Sequence, residues 1–145
     1  MPERRTPEAQ AAYLNEFFAA RVPGVLGVVF ERCAADEVVG RIDVTAPLIA
    51  GTGYLFAPAI IALADTLAAG GTGVNVREDE SFTTIELKTN FLGSAREGET
   101  VRGRAVPVHR GRSTQVWDVT VTNETTGRTI ALFRNTQMML AGKRD

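Results

Sequence analysis

The sequence predicts an α+β fold in which a curved antiparallel sheet wraps around one central helix. The run from Ala57 to Ala69 is apolar on nearly all sides, which is typical of a buried helix. Two short β-prone runs precede this helix and four longer ones follow it, each bounded by turn residues. An antiparallel sheet needs one covered face, and the 57–69 helix is the only segment apolar enough to cover it.

Size and composition indicate one ordinary globular domain. The chain has 145 residues, of which 44% are hydrophobic and 23% charged, and its formal net charge is −1. So small a charge gives no reason to expect nucleic acid or a membrane as a partner. Cys33 and His109 are the only residues of their types, which excludes an internal disulfide and the common zinc motifs. We expect a cytoplasmic protein that uses no metal or organic cofactor.

The first half of the chain predicts an N-terminal helix, two strands and the central helix. Thr6 and Pro7 suit an N-cap and a first helical position, so a helix is expected to begin there. Two strands are predicted, one from Val25 to Phe30 and one over 37–44, and the glycines of 70–73 are expected to end the central helix, which is too short to span a bilayer. Residues 1–22 are then an N-terminal helical segment, and residues 23–145 a single domain.

The second half predicts four strands, at 82–91, 100–108, 113–122 and 129–140. The first of these alternates with a period of two. One predicted face has Ile85, Leu87, Thr89 and Phe91, and the other has Thr84, Glu86, Lys88 and Asn90. Residues 109–112 are expected to form a hairpin turn. This order of elements predicts the hotdog fold, and the exposed edge of its sheet is expected to pair with a second copy.

Asp65 is the residue in this pattern that most suggests a function. It lies in the apolar central helix, where most neighbours for about two turns on either side are apolar or small. Burying an ionised carboxylate without a partner costs several kcal/mol. Asp65 is therefore either well hydrogen-bonded or part of a functional site.

Four segments are informative beyond the fold: Gly53 to Thr66, the strand from Thr83 to Leu92 with the turn 95–98, the hairpin 109–112 and the closing strand 129–137. Together they resemble the phenylacetate-pathway (PaaI-like) type of hotdog acyl-CoA thioesterase. The resemblance implies hydrolysis of a small-molecule acyl- or aryl-CoA thioester by a homo-oligomer, either a dimer or a tetramer. Coenzyme A enters only as part of the substrate.

The resemblance also implies roles for particular residues. Asp65 aligns with the helix carboxylate that acts as nucleophile or general base, and Ala57 with the residue whose N–H polarises the thioester carbonyl. Thr84 aligns with a hydroxyl that orients the water or the carboxylate, and Thr83 is the alternative if the register differs by one. In such dimers the helix N-terminus and the carboxylate of one site come from different subunits.

The remaining candidates are substrate contacts. Phe56 and Pro58 flank Ala57, and Phe56 could line an acyl pocket. Asn90 could meet the pantetheine arm. Basic groups near the turns would meet the phosphates of the substrate: Lys88, Arg96, Arg110 and Arg112. The backbone of Gly111 could approach those phosphates closely.

The helix start departs from the family pattern and leaves alternatives open. Phe56-Ala57-Pro58 stands where His-Gly-Gly is usual, and Ala50 replaces a frequent Asn. Pro58 has no N–H, although proline suits the first helical turn. An acyl-CoA-binding protein with little or no activity is therefore an alternative. A hydratase is a weaker alternative, because those enzymes usually need a histidine and His109 is far from the helix.

Overall fold

The computed structural model describes residues 4–142 and confirms a six-stranded antiparallel sheet curved around a central helix. The helices are α1 (Pro7–Phe18), α2 (Val22–Val25) and α3 (Ala57–Asn75), with a short 3-10 helix at Ala46–Leu48. The strands are β1 (Val29–Cys33), β2 (Val38–Asp43), β3 (Ser81–Phe91), β4 (Thr100–Arg110), β5 (Thr114–Asn123) and β6 (Arg128–Leu140). Their order in the sheet is β1-β2-β4-β5-β6-β3, so β1 and β3 are its edges.

Helix α1 begins as predicted and closes one edge of the sheet. The hydroxyl of Thr6 accepts a hydrogen bond from the Ala9 N–H at 3.2 Å, as an N-cap should. Further along α1, the side chain of Asn15 donates to the Phe30 carbonyl at 2.9 Å and accepts from the Phe30 N–H at 2.8 Å. The amide thus takes the place of a neighbouring strand beside β1. The β3 edge has no such cover among residues 4–142.

The first strand begins later than the sequence predicts. Residues Val22–Val25 form a helical turn, in which the Leu26 N–H donates to the Val22 carbonyl at 2.9 Å. The turn brings Gly24 so close to α1 that a Cβ there would lie 2.2 Å from the Phe18 carbonyl oxygen. The β-prone residues at 25–28 are therefore committed to a turn against α1, and β1 starts only at Val29.

The central helix is longer than predicted. It continues past Ala69 to Asn75, so the glycines of 70–73 lie inside it instead of ending it. Gly70 and Gly71 allow close packing: a Cβ on Gly70 would lie 2.7 Å from the Phe30 ring, and one on Gly71 would lie 2.4 Å from the Trp117 ring. Burial against these rings outweighs the low helix propensity of glycine.

At 19 residues and a mean hydropathy of 1.3, α3 is by length and composition apolar enough to cross a membrane. The expectation that it is too short to do so was therefore wrong. Most of this helix is buried under the sheet, and Leu63, Ala64, Leu67 and Ala68 are fully inaccessible. Core burial accounts for its apolar character.

Leu67 fixes α3 against the sheet. Gly40 of β2 pairs with Gly103 of β4, and a Cβ on either glycine would lie 2.6 Å from a methyl group of Leu67. The two glycines thus form a notch in the sheet that receives this side chain. Because Leu67 is two residues beyond Asp65, the notch also fixes the position of Asp65.

A bulge at Ile85 corrects the predicted faces of β3. Thr84 pairs with Gln137, but the next pair joins Glu86 to Thr136, so Ile85 has no partner across the ladder. The extra residue reverses the alternation. Thr84 therefore shares the inner face with Leu87, Thr89 and Phe91, whereas the alternation predicted that it would share a face with Glu86, Lys88 and Asn90.

We expect Gly103→Ala to destabilise the fold by about 1–3 kcal/mol, because the added methyl group would overlap Leu67. Alanine is otherwise preferred to glycine in a strand, so a loss of stability would indicate the overlap with Leu67. Urea unfolding measures the change in the free energy of unfolding. Gly51→Ala is the control, because nothing lies within 4 Å of a Cβ there. Equal stability of the two variants would contradict the notch.

Candidate active site

Asp65 lies in the third turn of α3 and faces the inner side of β3 and β6. Its Oδ1 accepts a hydrogen bond from the Thr84 hydroxyl at 3.4 Å and from the Asn135 side-chain amide at 3.1 Å. No residue of 4–142 donates to its Oδ2. The half-buried carboxylate is thus held through one oxygen, and the other oxygen is available to a ligand.

Asn135 and Gln137 complete this cluster and were not singled out from the sequence. Both are fully buried, and Gln137 lies 3.1 Å from the Thr84 hydroxyl. They occupy alternate positions of β6 in phase with the buried Phe133. Because side chains in a strand alternate between faces, this phase puts two polar side chains on an inward face. That pattern is the sequence signal that could have revealed them.

The start of α3 presents a free donor beside an apolar cleft. Phe56 is the N-cap, Ala57 is the first helical residue, and Pro58 has no N–H. The N–H of Ala57 has no acceptor within residues 4–142, as is usual in a first helical turn. Phe56 and Pro58 line a cleft of about 410 Å³ with Leu26, Pro47, Leu48, Ile49, Ala50, Gly51 and Ala59.

Ala57 and Asp65 of one chain do not face the same point. They are eight residues apart on α3, which places them about 12 Å apart along its axis. A thioester carbonyl bound at the Ala57 N–H would therefore be out of reach of the Asp65 carboxylate of the same chain.

Arg96 lies at the same end of the molecule as the start of α3. Its guanidinium donates to the Tyr54 hydroxyl at 3.4 Å and lies 5.4 Å from the centre of that ring. The carboxylate of Glu99 accepts from the Arg96 N–H and from Asn123, both at 2.7 Å. The Arg96 N–H and Asn123 hold the pKa of Glu99 below its usual value. This turn also borders a cleft of about 480 Å³ that includes Arg128.

The other basic turn lies at the opposite end of β4. Arg110 ends that strand and donates to the Ala35 carbonyl at 3.1 Å, while Gly111 and the exposed Arg112 form the turn to β5. Because β4 has 11 residues, roughly 30 Å of strand separates this turn from Arg96. The two basic groups cannot bind the same phosphate within one chain.

Lys88 and Asn90 are on the outer face of the sheet. They pair with Arg134 and Leu132 of β6, whose side chains alternate with the buried inward ones. A cleft of about 330 Å³ lies here, also lined by Asp118. In one chain, therefore, the sheet separates both residues from Asp65.

The lone histidine and cysteine lie outside the Asp65 cluster. His109 is exposed near the end of β4, beside Gly111. Cys33 is 2% exposed at the end of β1, and burial raises the pKa of its thiol to about 12. At neutral pH the thiol is protonated and a poor nucleophile.

Comparison with known proteins identifies the family. The model of the thioesterase superfamily matches residues 52–130, which include α3, β3 and β4 and therefore both Ala57 and Asp65. This chain belongs to the thioesterase superfamily. The match confirms the resemblance recognised in the sequence and supports thioester hydrolase activity.

Similar proteins agree with this assignment. A 1,4-dihydroxy-2-naphthoyl-CoA hydrolase from Listeria monocytogenes is 30% identical over 69% of this chain and 80% of its own length. A mutant thioesterase PA1618 from Pseudomonas aeruginosa superposes with a TM-score of 0.87 at 25% identity, covering 95% of this chain and 97% of that one. The PaaI protein of Escherichia coli shares the fold, with a TM-score of 0.79 at 22% identity over 95% and 99% of the two chains.

We expect the burial of Cys33 to make stability depend on pH above about 9. The thiol titrates near 9.0 in the unfolded chain and near 12 in the native one. Between these values only the unfolded chain loses the proton, so its ionisation favours unfolding as pH rises, and below them the contribution is constant. Urea unfolding of wild type and Cys33→Ala at pH 7 and pH 10 tests this. The free energy of unfolding should fall more for wild type; parallel changes would contradict the assignment.

Proposed function

We propose that this chain hydrolyses small-molecule acyl- or aryl-CoA thioesters, with Asp65 as general base or nucleophile. The observation that supports this most is the Asp65 carboxylate, which Thr84 and Asn135 hold at Oδ1 while no donor from residues 4–142 reaches Oδ2. A base must be fixed in place yet keep an oxygen for the water or the carbonyl carbon. In the proposed site Thr84 orients the carboxylate, and Asp65 acts through Oδ2.

The N–H of Ala57 is the proposed donor to the thioester oxygen. Negative charge develops on this oxygen when the carbonyl is attacked, and the N-terminus of α3 stabilises negative charge. Pro58 leaves Ala57 as the donor nearest the cleft, and the apolar lining around Phe56 suits an acyl or aryl group. The product would be a carboxylic acid and a free CoA thiol.

We propose that each site combines Asp65 of one subunit with the Ala57 N–H of a second copy. The separation of about 12 Å along one helix requires a second source for one of the two groups. The open β3 edge offers a place for that copy, since it is 11 residues long and exposes Ile85, Leu87 and Phe91. A long apolar edge strand favours pairing with another chain. A dimer is the smallest assembly that completes the site.

The phosphates of CoA would bind near Arg110, Gly111 and Arg112. Arg110 pairs with Gln115, which pairs with Gln137, which pairs with Thr84, so all four lie at one level of the sheet. Three strand spacings, about 14 Å, separate Arg110 from Thr84. An extended pantetheine arm can span this distance. In a dimer, Lys88, Asn90 and Arg96 are further candidates for contact with the substrate.

We expect Asp65→Asn to lower kcat at least about 100-fold, because the amide cannot accept a proton or attack. The measurement is release of free thiol from aryl-, short-chain and medium-chain acyl-CoA esters. Asp36→Asn is the matched control, because Asp36 lies in the exposed turn between β1 and β2.

Two outcomes would contradict this proposal. An unchanged rate in Asp65→Asn would remove Asp65 from the chemistry. Absence of turnover by wild type on every ester, together with a raised Tm in the presence of some of them, would favour the alternative of an acyl-CoA-binding protein. In that case the Phe56-Ala57-Pro58 helix start would be the change that abolished activity.

We expect two inactive variants to restore activity when they are unfolded and refolded together. Ala57→Pro removes the N–H while keeping the helix start, because Phe56 already has the extended conformation (ψ 122°) that a following proline requires. It should lower kcat about 100- to 1,000-fold. In a mixed dimer with Asp65→Asn, one of the two sites has both groups intact. Equal mixing should recover about a quarter of wild-type activity.

Refolding each variant alone is the control for this complementation. If the variants are inactive singly and remain inactive after mixing, although mixed dimers form, both groups of a site belong to one chain. Mass spectrometry of the native mixture verifies that mixed dimers are present.

A further inference from the structure

The Thr84 hydroxyl has two acceptors within reach but only one proton. Oδ1 of Asp65 lies 3.4 Å away and Oε1 of Gln137 lies 3.1 Å away. A hydroxyl donates one hydrogen bond and accepts others. If Gln137 takes the proton, Asp65 loses one of its two donors.

Gln137 also has an amide end that is not used. Its Nε2 is buried and has no hydrogen-bond partner within residues 4–142. A half-turn about the last side-chain torsion, which has a broad two-fold profile, exchanges Nε2 and Oε1. Nε2 then lies at the hydrogen-bond distance from the Thr84 hydroxyl oxygen. This leaves Oε1 without a partner in place of Nε2. Buried carbonyl oxygens without a partner are found more often in proteins than buried N–H groups without one.

We propose that Gln137 is a positioning residue that donates from Nε2 to the Thr84 hydroxyl and so directs the Thr84 proton to Asp65. Asn135 supplies the second donor to the same carboxylate oxygen. The chain Gln137–Thr84–Asp65 then runs in one direction, from the Nε2 N–H to the Thr84 oxygen and from the Thr84 O–H to Oδ1. It fixes Oδ1 and leaves Oδ2 to the reaction. The inference rests on the proposed role of Asp65.

A double-mutant cycle tests the proposal. Gln137→Met keeps the length of the side chain but removes both polar atoms, and Thr84→Val keeps the shape of the threonine. We expect Gln137→Met to lower kcat about 10-fold with KM unchanged, because one hydrogen bond in the chain to the carboxylate is lost. Thr84→Val should lower kcat at least as much, and the double variant should be no slower than Thr84→Val alone. Thr84→Ser keeps the hydroxyl, so this variant should retain most of the wild-type kcat. Adding Gln137→Met to Thr84→Ser should again lower kcat.

Two results would overturn the inference. One is a kcat of Gln137→Met within twofold of wild type while Asp65→Asn is inactive. The other is a double variant slowed by the product of the two single effects, which is expected if Gln137 acts independently of Thr84. An unaffected Asp65→Asn would instead contradict the proposed function, so the two failures are distinguishable.

The side-chain amide of Gln137 gives a second measurement if Gln137→Met does not fold. In a 15N-labelled protein, its N–H signal should move when Thr84→Val removes the hydroxyl acceptor, and should not move in Thr84→Ser. A signal unaffected by Thr84→Val would overturn the inference, because Nε2 would then have no bond to Thr84.

Discussion

The depth at which α3 lies in the sheet determines the rest of the structure. Leu67 fits the notch between Gly40 and Gly103, and Gly70 and Gly71 bring the same helix against Phe30 and Trp117. A larger side chain at any of these glycines would push α3 outwards. Since Asp65 is two residues from Leu67, its hydrogen bonds to Thr84 and Asn135 depend on this packing. The site is built on a rigid core element, which is the arrangement that holds reacting groups most accurately.

Local patterns predicted most of the fold, and the departures have physical causes. Thr6 caps α1 as predicted, and the four strands after α3 lie within a few residues of their predicted positions, because capping and strand patterns are local effects. The glycines after Ala69 were expected to end α3. Glycine is found both where helices end and where a helix packs closely against another element, so the residue type alone does not distinguish the two. Only the positions of Phe30 and Trp117, distant in sequence, distinguish the two.

The site was predictable in part for a similar reason. Asp65 stands out because it interrupts an apolar helix, and its alignment with a family carboxylate led to Thr84. The period-two pattern grouped Thr84 with Glu86, Lys88 and Asn90, because no local signal reveals the bulge at Ile85. Asn135 and Gln137 look like ordinary polar residues in a strand. Their phase with Phe133 indicates an inward face, but only the folded structure shows that this face meets Asp65.

The way in which Asn15 covers β1 has a consequence for how far assembly can proceed. A sheet with two open edges can add a copy at each, and then another, so its growth has no natural end and leads to fibres. In this protein the side-chain amide of Asn15 in α1 already binds the backbone N–H and C=O of Phe30 at the β1 edge. If two copies paired through β3, the β3 edge of each would be covered by the other. Such a continuous sheet would stop at twelve strands, and a single asparagine would help to separate a finite enzyme from an aggregate.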